Sequence, residues 1–277
     1  MNQRRETLQK YLAGAGGHIA PSCGTPLEAA LIEHLGFDAI HVSGNAVHKG
    51  LALPDAGLIT LSEMAERVAA IAEATTLPII VDGETGFGNA RNVARAVRLL
   101  ARAGASAIHL EDQVTPRRMR DVGKSAPVIA TEEMVDKLKA ALDARDDNTL
   151  AIIARCEDRS SDQALQERLL AYAHAGVDAL WTANFNADVI EPVRKAARGI
   201  AFVGVPPGRR AGPEAAVLGV KIMCFPTVVS LGAIWGATRV LHAIKSGQTP
   251  DEAYKTLEGL PPLRDWYRDL GDERFPK

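Results

Sequence analysis

Two carboxylates, Asp82 and Glu84, close the apolar run Leu77-Pro78-Ile79-Ile80-Val81 and are followed by a glycine-rich turn, Thr85-Gly86-Phe87-Gly88-Asn89. An acid at the end of a buried strand is costly unless a partner or a cation neutralises it. A salt bridge or a helix cap would account for one such group. Here Glu111, with Asp112 after it, ends the next apolar run, and Asp55 stands in the loop 49–57. Together these are hard oxygen donors, suited to a Mg2+ ion that keeps several waters and takes further oxygens from its substrate; Mn2+ is the alternative. Asp82, Glu84 and Glu111 are expected to ligate the metal, with Asp55 acting in the chemistry beside them.

Arg155 ends a further apolar run, Leu150-Ala151-Ile152-Ile153-Ala154. Its planar fork suits a carboxylate, so Arg155 is expected both to bind the substrate's acid group and to serve in catalysis. An ion pair with Glu157 or Asp158 is the plainer reading of the same residue. Ser43-Gly44-Asn45 follows another apolar run and could offer a hydroxyl and backbone N–H groups to a substrate oxygen. Gly44 could equally do no more than turn the chain. His109, on the run that ends in Glu111, is read as a structural histidine. No lysine ends a strand, which disfavours Schiff-base chemistry; Lys221 lies inside one.

These polar groups need strands to carry them, and the chain supplies strands in alternation with helices. Strands are predicted at His18–Pro21, Ala39–Ser43, Pro78–Asp82, Ala107–Glu111, Leu150–Arg155, Ala179–Thr182, Ala201–Val205 and Val220–Phe225. Helical periodicity falls at Leu61–Thr75, with Thr60 and Ser62 as caps, and at Asn89–Ala103, Thr131–Ala144, Asp162–Ala175 and Ala187–Arg198. Gly104, Gly176 and Gly199 each close a helix just before a strand, the mark of a repeated β/α unit. Eight such strands predict one α/β domain over 1–277, a (β/α)8 TIM-type barrel with a helical tail over about 247–277. In such barrels the reacting groups project from the C-terminal ends of the strands. A doubly wound sheet is the rival, but Gly86-Phe87-Gly88 has Arg91 where a third glycine of a dinucleotide fingerprint would stand.

Composition narrows the partners. The 277 residues carry 32 basic and 34 acidic side chains, a net charge of -2, so no overall field draws the chain to nucleic acid or to an acidic membrane. No run reaches membrane-spanning length and the start lacks the apolar stretch of a signal peptide. Three scattered cysteines, Cys23, Cys156 and Cys224, fit a reducing cytoplasm better than a disulfide framework or a zinc site.

Several segments in register resemble the isocitrate lyase/phosphoenolpyruvate mutase superfamily: Ser43-Gly44, Leu53–Gly57, Val81–Asn89, Gly104–Gln113 and Ile152–Arg155. The resemblance implies a barrel whose last helix is exchanged between paired subunits, usually in a homotetramer (a dimer of dimers). It also implies that Asp82 is the main Mg2+ ligand, with Glu84, Glu111 and Asp55 reaching the ion directly or through water. Ser43, Gly44 and Arg155 would hold a small carboxylate substrate. Departures are equally telling. Met119 stands where the family lyases place a catalytic cysteine, and the first acid pair reads Asp-Gly-Glu in place of Asp-x-Asp. The segment Trp181–Asn184 lacks the glutamate of the lyase members, and the loop lacks the threonine–asparagine pair of the phosphonate enzymes. What is left is carbon–carbon lyase chemistry on a 2-oxo or 2-hydroxy di- or tricarboxylate through an enolate, with oxaloacetate-type decarboxylation first. Asp121, or water, would return the proton. Methylisocitrate- or dimethylmalate-type cleavage, phosphorus–carbon chemistry and an organic-acid binder without turnover stay open.

Overall fold

Eight parallel strands hydrogen-bond in chain order and close on themselves. The computed structural model describes residues 2–116, 127–182, 184–204, 216, 218–255, 257 and 266. Its strands are β1 (His18–Cys23), β2 (Ile40–Val42), β3 (Ile79–Asp82), β4 (Ala107–Glu111), β5 (Ala151–Cys156), β6 (Ala179–Thr182), β7 (Ala201–Gly204) and β8 (Val220–Phe225). The helices are α1 (Asn2–Ala13), α2 (Pro26–His34), α3 (Gly44–Gly50), α4 (Leu61–Ala74), α5 (Ala90–Ala103), α6 (Thr131–Ala144), α7 (Asp162–His174), α8 (Ala187–Ala196), α9 (Val228–Lys245) and α10 (Pro250–Lys255). The expected (β/α)8 barrel is the observed fold. All eight strands fall within two residues of expectation; Val205, the expected end of the seventh, lies outside the described residues.

The helices form for local reasons that also fix where they start and stop. Thr60 caps α4 through a capping box with Glu63, which decides between the two expected caps, Thr60 and Ser62. Asn89 accepts from the N–H groups of Arg91 and Asn92 to open α5, and Gly104, at φ +115°, ends it in the left-handed conformation. Between those ends α5 buries Val93, Val97 and Leu100 completely against the barrel. Truncating Leu100 to alanine there would cost about 2–5 kcal/mol. One expectation is corrected: the chain after Ser43 does not simply turn but enters the short helix α3, despite glycine at both of its ends.

A repeated peg ties the strand starts together. Two residues beyond a turn glycine, Asp38, Ser106 and Asp178 each accept the N–H that opens the preceding strand: Ile19 (2.9 Å), Ile79 (3.1 Å) and Ile152 (2.7 Å). Buried peptide donors at the barrel's lower rim are thus satisfied by side chains of the next unit. Helix α1 lies at the same rim. Its Arg5 is almost wholly buried, donates to the carbonyls of Ala101 and Ala105, and pairs with Asp146 at 2.8 Å.

By internal packing the chain divides into two compact units, residues 1–230 and 231–277, with the division inside α9. The first holds the barrel. In the second, Ala253 is fully buried, whereas Leu231, Ile234, Trp235, Leu241 and Ile244 of α9 are exposed. Among the described residues no helix is long and apolar enough to cross a membrane.

Candidate active site

Strands β2 to β5 deliver polar side chains to one end of the barrel, and the turns after them close the arrangement. Asp82, the last residue of β3, is the centre. Its Oδ2 accepts the N–H of Gly44 at 3.0 Å and its Oδ1 accepts the N–H of Glu84 at 3.0 Å. Gly44 therefore enters the site, but its N–H is directed at Asp82 rather than left for a substrate oxygen. A side chain at Gly44 could not be accommodated: a Cβ would stand 2.0 Å from Glu84 Oε1 and 3.0 Å from Asp82 Oδ2. The missing methyl group is the space into which the two carboxylates converge. Glu84 itself sits at φ +49°, a left-handed conformation that costs a non-glycine residue about 1 kcal/mol or more. Gly86, at φ +87°, is needed because a Cβ there would strike Val93 at 2.2 Å.

Asp55 joins from the loop after α3, held by the side-chain amide of Asn45 at 2.9 Å. Asn45 is thus a support for Asp55, and its own Oδ1 is buried without a hydrogen-bond partner. His48 anchors this loop. Its Nδ1 donates to the Gly44 carbonyl at 2.7 Å, while its Nε2 accepts the N–H groups of Leu58 and Ile59. Ser43 makes no capping bond with its side chain, so its hydroxyl is left at the strand end beside Gly44.

Glu111 is placed differently from the other expected ligands. Its Oε2 lies 3.5 Å from Arg155 Nη1. Arg155 is also gripped by Glu157, which takes Nε at 2.6 Å and Nη2 at 2.6 Å, and its plane lies over Trp181 at 5.0 Å. The ion pair with Glu157 is therefore real, and it turns the Nη1 edge of the guanidinium toward Glu111. Burial opposes the charge on Arg155, but Glu157, Glu111 and Asp82 outweigh it, and the guanidinium stays charged. Glu157 is steadied in turn by its N–H to Asp112 at 2.8 Å. Asp112 is fully buried behind the site, where it also accepts from Tyr172 at 2.8 Å and Cys156 at 3.1 Å. Burial raises its carboxyl above the ordinary range in spite of those bonds.

Beneath Asp82 lie two histidines that sequence reading did not assign to the site. His41 of β2 and His109 of β4 meet Nε2 to Nε2 at 3.0 Å, and His109 Nδ1 stands 3.7 Å from Asp82 Oδ1. Trp181 packs on both rings, at 5.5 and 4.8 Å between centroids. Burial, reinforced by their mutual repulsion, pushes His41 down to about 3; burial likewise lowers His109 to about 4, against the pull of Asp82. Both imidazoles are neutral near pH 7. At Asp82 burial opposes ionisation, but His109, Arg155, His41 and the Gly44 N–H hold it below the usual carboxylate range. A sequence signal for the pair existed. Each histidine precedes a site residue by two positions, Ser43 and Glu111, and so shares its face of the strand.

Among the described residues, two sets of donors could hold a cation: His41, Asp82 and His109, and His48, Asp55 and Glu84, with the ligand atoms of each set within 4.8 Å of one another. Asp82 and Glu84 oxygens meet beside side-chain-free Gly44, and with Asp55 next to Glu84 they offer the hard donors that a divalent ion takes. A cavity of about 470 Å3 opens beside Glu84, lined also by Thr85, Phe87, Arg95 and Thr115. The larger groove, about 780 Å3, lies at the opposite rim by Arg4, Tyr11 and Asp38, away from this cluster. Asp121, the expected proton donor, and Met119 lie outside the described residues.

The chain is similar to known proteins in sequence and in fold. The sequence model of the family described as phosphoenolpyruvate phosphomutase matches residues 18–244. A 2,3-dimethylmalate lyase of Eubacterium barkeri is 37% identical over 251 residues, covering 86% of this chain and 85% of that protein. An oxaloacetate decarboxylase of Rhodopseudomonas palustris (strain HaA2) is 35% identical over 271 residues, 95% of this chain and 91% of the relative. A crystal structure of phosphonopyruvate hydrolase superposes with a TM-score of 0.81 at 30% identity, covering 98% and 96% of the two chains.

Proposed function

The chain belongs to the phosphoenolpyruvate phosphomutase family, within the isocitrate lyase/phosphoenolpyruvate mutase superfamily, and from that premise we propose that it is a Mg2+-dependent carbon–carbon lyase whose first substrate class is oxaloacetate-like. The observation that carries this reading is the meeting of Asp82 and Glu84 beside Gly44, with an Asp55 oxygen within 4.8 Å of Glu84 and the charged Arg155 acting on Asp82. Carboxylate oxygens gathered in this way suit the hard-oxygen coordination of a divalent cation. Asp82, Glu84 and Asp55 would hold the ion, with Glu111 reaching it through water. A bound divalent cation supplies Lewis-acid polarisation of the substrate's 2-oxo group.

The chain's own residues set up the rest. Arg155, clamped by Glu157 and stacked on Trp181, presents its Nη1 edge to one substrate carboxylate. The Ser43 hydroxyl offers a hydrogen bond to an oxygen of the same acid. As the bond from carbon three to the departing carboxylate breaks, its electron pair passes to carbons two and three as an enolate, and CO2 leaves. A proton at carbon three, from Asp121 or water, completes pyruvate. Met119, in the position of the lyase cysteine, is a thioether with no proton to exchange, and decarboxylation needs none from it. Cleavage of a branched 2-hydroxy acid is the second reading, favoured by the likeness to a dimethylmalate lyase over 86% of the chain.

The same premise carries a cytoplasmic homotetramer with the last helix exchanged between paired subunits. The exposed apolar row Leu231, Ile234, Trp235, Leu241 and Ile244 supports that exchange. The deciding assay incubates the protein and Mg2+ with oxaloacetate, methylisocitrate, dimethylmalate and phosphonopyruvate while pyruvate, glyoxylate and phosphate are followed. Pyruvate from oxaloacetate well above the metal-only rate is the expected result. Turnover of the hydroxy acids alone would transfer the assignment to the second reading.

A further inference from the structure

We propose that His41 and His109 are positioning residues whose locked tautomers aim an N–H at Asp82 and so fix the orientation of its carboxylate for the cation. The inference rests on Asp82 as the metal-holding residue of the proposed function. Strand β3, which carries Asp82, runs between β2 and β4, and the register sets His109 directly opposite Asp82. A 3.0 Å contact between two Nε2 atoms has room for one proton, so one ring donates it and the other accepts it.

The surroundings decide which. Among the described residues neither Nδ1 has a hydrogen-bond partner, and it is that of His109 which faces an anion, Asp82 Oδ1 at 3.7 Å. If His109 gave the bridging proton, its Nδ1 would turn a bare lone pair on that anion. His41 would then bury an N–H with no acceptor. If His41 gives it, His109 carries its proton on Nδ1 and directs it at the carboxylate, leaving a single unfilled acceptor on His41. A stranded buried donor and a lone pair facing a negative oxygen both cost free energy, so the second arrangement prevails. Trp181 packs against both rings and opposes a flip of either. At 3.7 Å the contact is electrostatic rather than a hydrogen bond, and it adds a third constraint to the N–H groups of Gly44 and Glu84. Groups that orient a ligand in this way commonly change metal affinity by about 10–100-fold when removed.

Side-chain amides separate this role from simple packing. The Asn amide nitrogen falls near the position of Nδ1, and the Gln amide nitrogen near that of Nε2. We expect His109→Asn to bind Mn2+, followed by its paramagnetic resonance, within a few-fold of the unaltered protein. His109→Gln should bind about 10–100-fold more weakly. At position 41 the order reverses: His41→Gln keeps the donor to His109 and His41→Asn loses it. Equal binding by the Asn and Gln variants at position 109 would overturn the proposal. Nitrogen-15 histidine spectra of the unaltered protein give a test that does not depend on variants folding. They should show the proton on Nε2 of His41 and on Nδ1 of His109; the opposite pattern refutes the assignment. If Asp82→Asn retained Mn2+ affinity, the metal reading itself would fail. If Asp82→Asn lost affinity while His109→Asn and His109→Gln both bound as the unaltered protein does, the histidine assignment alone would fail.

Discussion

Aspartates stand at both rims of the barrel, and the two rims treat them in opposite ways. At the lower rim each has its own modest task. Asp38 takes the Ile19 N–H and stands 3.2 Å from His18; Asp178 takes the Ile152 N–H and pairs with Arg145 at 3.1 Å. Each of the two takes one strand N–H and stands beside one basic side chain, and the product is strand alignment. At the upper rim Asp82, Glu111 and Glu157 all act on the guanidinium of Arg155, while Glu84 and Asp55 lie close to each other nearby. The difference teaches where stability is traded. Local pairing at the bottom secures the fold, whereas on the proposed function the crowded top is where a cation and an anionic ligand would sit together.

The sharpest way to break that contrast is at Asp82. Asp82→Ala should abolish metal affinity and activity together, by about a thousandfold or more in turnover, as titration with Mn2+ and the pyruvate assay would report. Retained metal binding would remove the centre from the upper rim. Arg155→Lys should lower kcat/KM about a hundredfold, since an ammonium cannot hold Glu157 with two nitrogens and face a ligand with a third. An unchanged KM and kcat would mean that the arginine serves packing alone.

Acid should find the upper rim before the lower. His41 and His109 have folded-state values of about 3 and about 4, below the ordinary 6.5 of histidine. A group depressed in this way is neutral in both states above pH 6.5. As pH falls toward 4 the unfolded chain gains protons that the folded chain refuses, and stability declines by about 1.4 kcal/mol per pH unit for each histidine. Denaturant titrations of metal-free protein should show this loss, and the paired substitution His41→Phe with His109→Phe should flatten it. At the lower rim Asp178→Ala should cost about 1–3 kcal/mol of stability with kcat unchanged, because it strands the Ile152 N–H and Arg145. A fall in kcat without loss of stability would erase the division between the rims. Smallest, Glu84→Gln should lower Mn2+ affinity and activity about tenfold, as titration and the pyruvate assay would report, because an amide is a weaker ligand than a carboxylate.

Much of this was legible in the chain, for physical reasons. Short apolar runs ending in an acid or an arginine exposed both the strands and the chemistry, so Asp82, Glu84, Asp55 and Arg155 could be named before any coordinates. The helix α2 was missed although Thr25 and Glu28 form a capping box around Pro26, because nine residues give little periodicity. The helix α3 was hidden by its terminal glycines. What the Gly44 N–H does could not be read at all, since its acceptor lies 38 residues away. His41 and His109 look like ordinary core histidines until the barrel closes and sets them ring to ring.

The buried arginine of α1 has a consequence for the order of events at the ribosome. Arg5 must wait for the carbonyls of Ala101 and Ala105, and then for Asp146, before any of its charge is answered. About a hundred residues of chain must be made before the first of these partners of Arg5 exists. The floor of the barrel is therefore laid late, by a segment translated near the start, and whatever is fused ahead of that helix must travel with it into place.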